Sequence, residues 1–382
     1  MKKMVDNKTK ALTVMQLIPE LNSGGVERGT LELGRYLVNN GHKSIVVSGG
    51  GRLVDQLEKD GSYHIEKAIG AKSPLALFHI WPLRQAMKKN RVDIVHLRSR
   101  LPGWVGYIAL KTLRKKYRPI LVTTFHGFYS VNGYSAIMTK GDGVIAVSKG
   151  IQTHIAEKYN REKNVRLIFR GVDVESFDQG KVDSQRIAGL SRKWDIDSSK
   201  SVLMLPGRLT RLKGQDFFLK SLLLVKNTNY QAVIVGDIED NPGYTEELKS
   251  FIAKNNLADK VRLVGHCEDM AAAFLIADIV LSTSEPEAFG RTTVEAMAMG
   301  KPVIATAHGG SLETVIPGET GWLVKPNNVE AMAIAIDEAL AMEKKQLKKF
   351  GENGRIHVAA HFTAQAMCKQ TLDFYLELLG MQ

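Results

Sequence analysis

Short runs rich in Val, Ile and Leu recur along this chain, and stretches with helical spacing separate most of them. The first series comprises Leu12–Ile18, Lys43–Ser48, Asp93–Leu97, Ile120–Thr124, Gly143–Val147 and Val165–Phe169. The second comprises Ser201–Leu205, Gln231–Val235, Val261–Val264, Ile279–Ser282, Pro302–Ala305 and Gly321–Val324. A run that is apolar on both faces belongs in a parallel sheet covered on both sides, and strand–helix alternation winds such a sheet in both directions. At 382 residues the chain is too long for one ordinary core. The expected fold is α/β, two Rossmann-like doubly wound domains facing a central cleft, where ligands of such sheets bind by default. The polar stretch 178–199 interrupts the alternation, so domains are expected at 1–180 and 181–362. A final helix, Thr363–Leu379, is followed by no strand. The segment 363–382 is therefore expected to pack back on the N-terminal domain.

Composition narrows the class. Apolar residues make up 44% and charged residues 24%, as in an ordinary globular protein. The two cysteines, Cys267 and Cys368, have no pair spacing and no adjacent second ligand, which suits a reducing, cytoplasmic setting. The lysine-rich start superficially resembles a signal peptide, but its apolar run is short and ends in Pro19-Glu20 without a small-residue cleavage site. No uncharged run approaches the roughly 20 residues of a membrane-spanning helix.

The formal charge of +12 is unevenly placed: residues 1–180 hold 29 Lys+Arg against 15 Asp+Glu, and residues 181–382 hold 23 against 25. The first half would therefore attract an anionic partner. Part of its excess lies in "WVGYIALKTLRKKYR", where Trp104 and its apolar neighbours precede Lys111, Arg114, Lys115, Lys116 and Arg118. Two readings stand: a basic amphipathic helix lying on anionic lipid, or an ordinary helix with one buried face and a solvated basic end.

Three motifs follow strands. In "PELNSGGVERG", Gly24 and Gly25 permit close backbone approach, and the helix starting near Val26 offers free N–H groups to phosphate, although the G-x-G-x-x-G spacing is absent. Gly49-Gly50-Gly51 reads as a tight turn. In "PGRLTRLKGQDFF", Arg208 and Lys213 are five apart in a turn leading into a helix, placed to clamp a diphosphate. In "SEPEAFGRTTVEAMAMG", Glu287 stands in the loop and Glu295 inside the helix Arg291–Met299. Two carboxylates at different depths can hold hydroxyls at two parts of an extended ligand. N–H groups at Ala288, Phe289, Gly290 and Arg291 meet its polar or anionic groups between them. Together these residues describe a site for a polyhydroxylated, phosphorylated molecule.

With "TFHG" at Thr124–Gly127 and "RGVDVESF" at Arg170–Phe177, the motifs occur in an order that resembles the retaining glycosyltransferases of the GT-B fold, family 4, over nearly the whole chain. The resemblance implies a sugar transferred from a nucleotide-diphosphate-sugar co-substrate to a glycolipid or saccharide acceptor, as in lipopolysaccharide or other cell-envelope glycan synthesis. It implies that Glu295 binds ribose hydroxyls, that Glu287 approaches the transferred sugar, and that Arg208 and Lys213 neutralise the leaving diphosphate. Gly24 and Gly25 would border that diphosphate, and His126 would lie near the donor sugar. No protein nucleophile, no tightly bound cofactor and no required metal are implied.

Arg170 replaces the family's frequent Asn, either as a structural variant or as a contact to an anionic acceptor. Asp195 and Asp197 in "WDIDSS" imitate a metal-binding D-x-D, but their place in a polar stretch reads as a solvated turn. His308 and Glu313 line the donor cleft or serve a glycine loop and helix cap, and His96 reads as a buried or cleft-wall histidine. A sugar-nucleotide epimerase of the same fold is the nearest alternative, and a polyanion-binding module is the remoter one. Nucleic acid is not expected, because the basic stretches lack interleaved stacking aromatics. An anionic membrane surface is an expected partner, placing the protein on the inner face of the cell membrane.

Overall fold

The computed structural model describes residues 11–22, 24–71 and 74–381; the lysine-rich start lies outside them. Two compact units divide the chain. The first runs to Arg170 and is rejoined by the chain from Ala364 onward; the second spans Gly171–Thr363. This division falls earlier than the expected 180/181 boundary. Val172 pairs with Thr363 and donates its N–H to Phe362 O at 2.9 Å, while Phe177 packs against Phe274. Segment 171–178 thus belongs to the second unit. The polar stretch beyond it is no linker either. Asp183 caps a helix, Ser184–Lys193, by accepting from Gln185 N, and that helix packs on Met270–Ile276.

The first unit holds β1 (Thr13–Leu17), β2 (Lys43–Ser48), β3 (Tyr63–Glu66), β4 (Ile94–Leu97), β5 (Ile120–Phe125), β6 (Gly143–Ala146) and β7 (Val165–Leu167). They form one parallel sheet in the order β3-β2-β1-β4-β5-β6-β7. The strand β3 has no continuous apolar run. It is an edge strand with Tyr63 and Glu66 exposed, so its sequence, "YHIE", alternates instead and escapes an apolar-run criterion. Helix Gly25–Asn39 covers one face through Leu33 and Leu37. The C-terminal helix Ala364–Leu378 packs beside it, placing Cys368, Leu372, Phe374 and Tyr375 against Val14, Ile94, Val122 and Ile145. Each such fully buried side chain contributes roughly 1.5–3 kcal/mol. The approach is close enough that a Cβ on Gly143 would stand 2.5 Å from Leu378 and 2.7 Å from Phe374.

The second unit holds β8 (Ser201–Pro206), β9 (Tyr230–Val235), β10 (Val261–Leu263), β11 (Ile279–Ser282), β12 (Val303–Thr306) and β13 (Gly321–Val324). Its parallel order is β10-β9-β8-β11-β12-β13, over a core that includes Phe218, Leu219, Tyr230, Ile234, Leu281 and Ile336. Strand order reverses between β1 and β4 in the first sheet and between β8 and β11 in the second. At such a switch point the two flanking connections leave in opposite directions and open a crevice beyond the carboxyl ends.

Candidate functional site

In the second unit the loops after β8 and β11 meet at that switch point. Gly214 closes the first loop with φ +67°, and a Cβ there would stand 2.4 Å from Thr283 O, so only glycine fits. The approach is fixed further by Thr283 Oγ1, which donates to Lys213 O at 2.7 Å. Lys213 Nζ then donates to Glu287 Oε2 at 3.0 Å and to Ser284 Oγ at 3.1 Å. Glu287 Oε1 accepts from Gly290 N at 3.0 Å. Burial raises the Glu287 pKa, but the Lys213 charge and these hydrogen bonds outweigh it and hold the carboxyl below its usual range.

Lys213 and Arg208 do not form a bare cationic clamp: Lys213 is engaged by Glu287 and Ser284, while the exposed Arg208 guanidinium has no partner among the described residues. The Gly290 N–H is taken by Glu287 itself, which leaves those of Ala288 and Phe289 without a hydrogen bond among the described residues. The Phe289 side chain is core, 2% exposed and set edge-on to Phe362. Glu295, one turn into helix Arg291–Ala298, accepts from Arg291 Nε at 2.8 Å through Oε1. Its Oε2 has no partner among the described residues. His308 Nδ1 accepts from Glu287 N at 3.3 Å, and Glu313 lies in the short helix Ser311–Thr314. A pair of acids, one with an oxygen unpaired among the described residues, an ammonium, a guanidinium and two unpaired backbone donors are groups that can hold hydroxyls and a diphosphate together. Ser284 is the contributor that sequence reasoning passed over; its signal was its place between a strand and Glu287.

The first unit gathers a different set at its own switch point. Gly24, with φ +134°, caps helix Gly25–Asn39 through backbone alone, and the Glu27 carboxylate stands over it. The anion-facing helix start expected there therefore carries an acid. Arg170, 6% exposed, donates through Nη2 to Gly25 O and through Nη1 to His126 Nδ1 at 3.2 Å. Arg98, 5% exposed, donates to Gln16 Oε1 at 2.9 Å. It was not singled out in the sequence, although a cation directly after the apolar β4 was a usable signal. Burial, followed by the charges of Arg170, Arg98 and His96, holds the His126 pKa well below the usual histidine value. His96 is buried between Thr124 Oγ1 and Tyr375 Oη, each 2.6 Å from a ring nitrogen.

The stretch Trp104–Arg118 is not one basic helix. Helix Arg100–Lys111 ends at Thr112, and Lys115–Tyr117 is a separate 3-10 turn. Trp104 Nε1 donates to Tyr134 O at 2.9 Å, and Arg118 closes the turn onto Leu113 O and Lys111 O. Lys111, Arg114, Lys115 and Lys116 are exposed. Among the described residues no helix is long and apolar enough to cross a membrane. Asp195 Oδ2 pairs with Arg262 at 2.9 Å and Asp197 accepts from Ser199, so this acidic pair serves a turn. No group of three or more metal-ligating side chains occurs among the described residues.

Two family models match, glycosyltransferase family 4 over residues 23–176 and glycosyl transferases group 1 over residues 188–357. A crystal structure of a glycosyltransferase from Rickettsia africae ESF-5 is 37% identical, with TM-score 0.88, and the match covers 98% of this chain and 100% of that one. The lipopolysaccharide core biosynthesis mannosyltransferase LpsB of Rhizobium meliloti is 26% identical over 79% of this chain and 84% of its own. The Anabaena protein HepE, in complex with UDP and glucose, shares the fold at 22% identity and TM-score 0.83, over 95% of this chain and 98% of its own.

Proposed function

Since the chain belongs to the GT-B glycosyltransferases, we propose that it moves a sugar from a nucleotide-diphosphate-sugar to a glycolipid or saccharide acceptor with retained anomeric configuration. Lipopolysaccharide or another cell-envelope glycan is the product class, in keeping with the mannosyltransferase relative. The observation that carries the donor reading is the convergence of Lys213, Ser284 and Glu287 beside the free N–H groups of Ala288 and Phe289.

In this reading the donor diphosphate draws Lys213 from Glu287, and Arg208 closes on the same charge. Both cations then stabilise the leaving group as negative charge develops on it, an interaction that strengthens towards the transition state. Glu295 Oε2 accepts from a ribose hydroxyl while Arg291 holds the other oxygen. Glu287, released by Lys213 and still anchored by the Gly290 N–H, accepts from a hydroxyl of the transferred sugar. The acceptor hydroxyl attacks on the face the diphosphate leaves, and the departing phosphate oxygen takes its proton. The basic first unit supplies the acceptor side, with His126 in its neutral form. A peripheral place on an anionic membrane surface belongs to the same reading; equal sedimentation with anionic and neutral vesicles would remove it.

The test is a thermal-shift series with UDP, GDP and ADP on wild type and Glu295→Ala. A nucleotide at 100 times its Kd stabilises by about 2.7 kcal/mol. One nucleotide should raise the wild-type Tm and fail on the variant. An unchanged Tm with all three, or equal shifts in both proteins, would overturn the donor assignment.

A further inference from the structure

At the amino ends of β4 and β5 the first unit opens a pocket of about 910 Å³. Asp93, just before β4, and Ile120, the first residue of β5, border it, whereas Arg98 and His126 follow the other ends of those strands. Along the six residues of β5 the two ends stand roughly 16 Å apart, at about 3.3 Å per residue.

Six cations line the pocket, Arg84, Lys88, Arg91, Arg114, Lys116 and Arg118, against one carboxylate, that of Asp93. Asp93 Oδ2 accepts from Thr13 N at 2.8 Å. Among the described residues none of the six cations has an ion pair. Elsewhere exposed cations find a carboxylate: Arg186 pairs with Asp269, Lys249 with Glu246 and Arg355 with Glu352. Helices Ile80–Lys89 and Arg100–Lys111 end next to lining residues. Each end offsets about half a unit of positive charge, so a balance of about four remains.

Local structure does not call for this set. Arg91 has φ +47°, in the left-handed region, where the other described non-glycine residues are asparagine or aspartate. Those types tolerate that backbone and arginine does not, so the turn alone does not explain Arg91. The Arg84 guanidinium stands 4.6 Å from the centre of the Trp81 ring, and its Nε is buried with no acceptor among the described residues. A positioned, desolvated donor beside five further cations calls for an oxygen-rich anion. Four of the six cations are arginines, whose planar forks match phosphate oxygens in pairs.

We propose that this pocket binds a ligand carrying two or more phosphate charges, at the end of the first sheet opposite the strand ends that hold Arg98 and His126. The shared chemistry is a diphosphate or paired phosphates, whether on a soluble compound or on a lipid headgroup. The pocket belongs to the first unit alone and does not depend on the transferase reading.

The test titrates inorganic pyrophosphate, inorganic phosphate and sulfate calorimetrically into the full chain at matched ionic strength. Pyrophosphate should bind more tightly than the other two. Lys88→Gln/Arg91→Asn removes two exposed cations and suits the left-handed backbone, so its Tm should stay close to wild type; Lys116→Gln is the second variant should it not. Pyrophosphate binding should weaken by about tenfold in the double variant, as for losing a charge-assisted hydrogen bond. Lys344→Gln/Lys345→Gln removes the same charge from an exposed stretch of helix Lys344–His361 and should leave binding unchanged. Cosedimentation with phosphatidylcholine vesicles, with and without cardiolipin, distinguishes the sources. Cardiolipin-dependent binding that pyrophosphate competes away and that weakens in Lys88→Gln/Arg91→Asn identifies a lipid headgroup; pyrophosphate binding without it identifies a soluble phosphate compound. Pyrophosphate binding no tighter than that of sulfate, binding undiminished in the pocket variant, or equal losses in both double variants means a solvated basic face only, and overturns the proposal. Binding that Arg208→Gln abolishes and the pocket variant does not belongs to the second unit's site, and overturns it as well. The thermal response to nucleotides is read separately, so the transferase reading and this pocket can fail independently.

Discussion

Replacing Lys213 with Met tests whether the Lys213–Glu287 pair is the organising contact of the second unit's site. The Glu287 side chain is 10% exposed and that of Lys213 30%. Removing the ammonium therefore strands a buried carboxylate with the Gly290 N–H as its remaining backbone donor. A hydrogen bond to a charged group contributes about 1.5–3 kcal/mol, and the partial exposure of Lys213 places the cost towards the middle, about 2 kcal/mol. In a domain of this size that lowers Tm by about 4–8 °C. The pH dependence separates this cause from simple loss of packing. In wild type the folded pKa of Glu287 is depressed, so its stabilisation is present above the unfolded value and lost as pH falls through the folded one. In Lys213→Met the desolvation that remains raises the folded pKa, so the strain belongs to the ionised form and is relieved on acidification. The Tm deficit should thus shrink between about pH 7 and pH 5. A double-mutant cycle with Glu287→Gln should give a coupling of at least about 1 kcal/mol. A deficit that does not change with pH, or a coupling near zero, would refute the pairing argument.

Gly214→Ala forces a side chain into the left-handed region against Thr283 O; the φ term alone costs about 1–2 kcal/mol, and nucleotide binding should weaken with Tm, whereas Gly189→Ala, inside a helix with open space around it, should leave nucleotide binding unchanged and raise Tm slightly. Acidification should destabilise the first unit, because burial first, and then neighbouring positive charge, holds both His96 and His126 well below the usual histidine pKa. The unfolded chain then binds protons the folded one does not. Stability should fall as pH drops below about 6.5 and flatten above it; Tm measured across that range checks the sign, and a rise on acidification would contradict it.

The strands were legible where both faces are buried, because there the apolar run is continuous: β2 and β11 have the bounds their sequences suggest. The edge strand β3 was not legible, since one covered side leaves a mixed pattern. Helix Ser184–Lys193 was read as a polar stretch because it buries little of itself; none of its residues is fully buried. At the site, Glu287, Glu295, Lys213 and Gly290 were visible as residue types at meaningful spacing. Their pairing was not, because Lys213 and Glu287 meet only when two loops far apart in the chain converge at a switch point.

The sequence by itself determined the two parallel sheets and the residues that stand at their carboxyl ends, since hydrophobic period and turn residues are local properties. Only the tertiary structure decided which charges neutralise one another, which N–H groups stay free, and that Arg84, Arg91 and Arg114 share one pocket. Those outcomes depend on distances between residues that the chain separates by long stretches, and on burial, which sets how strongly each charge is felt.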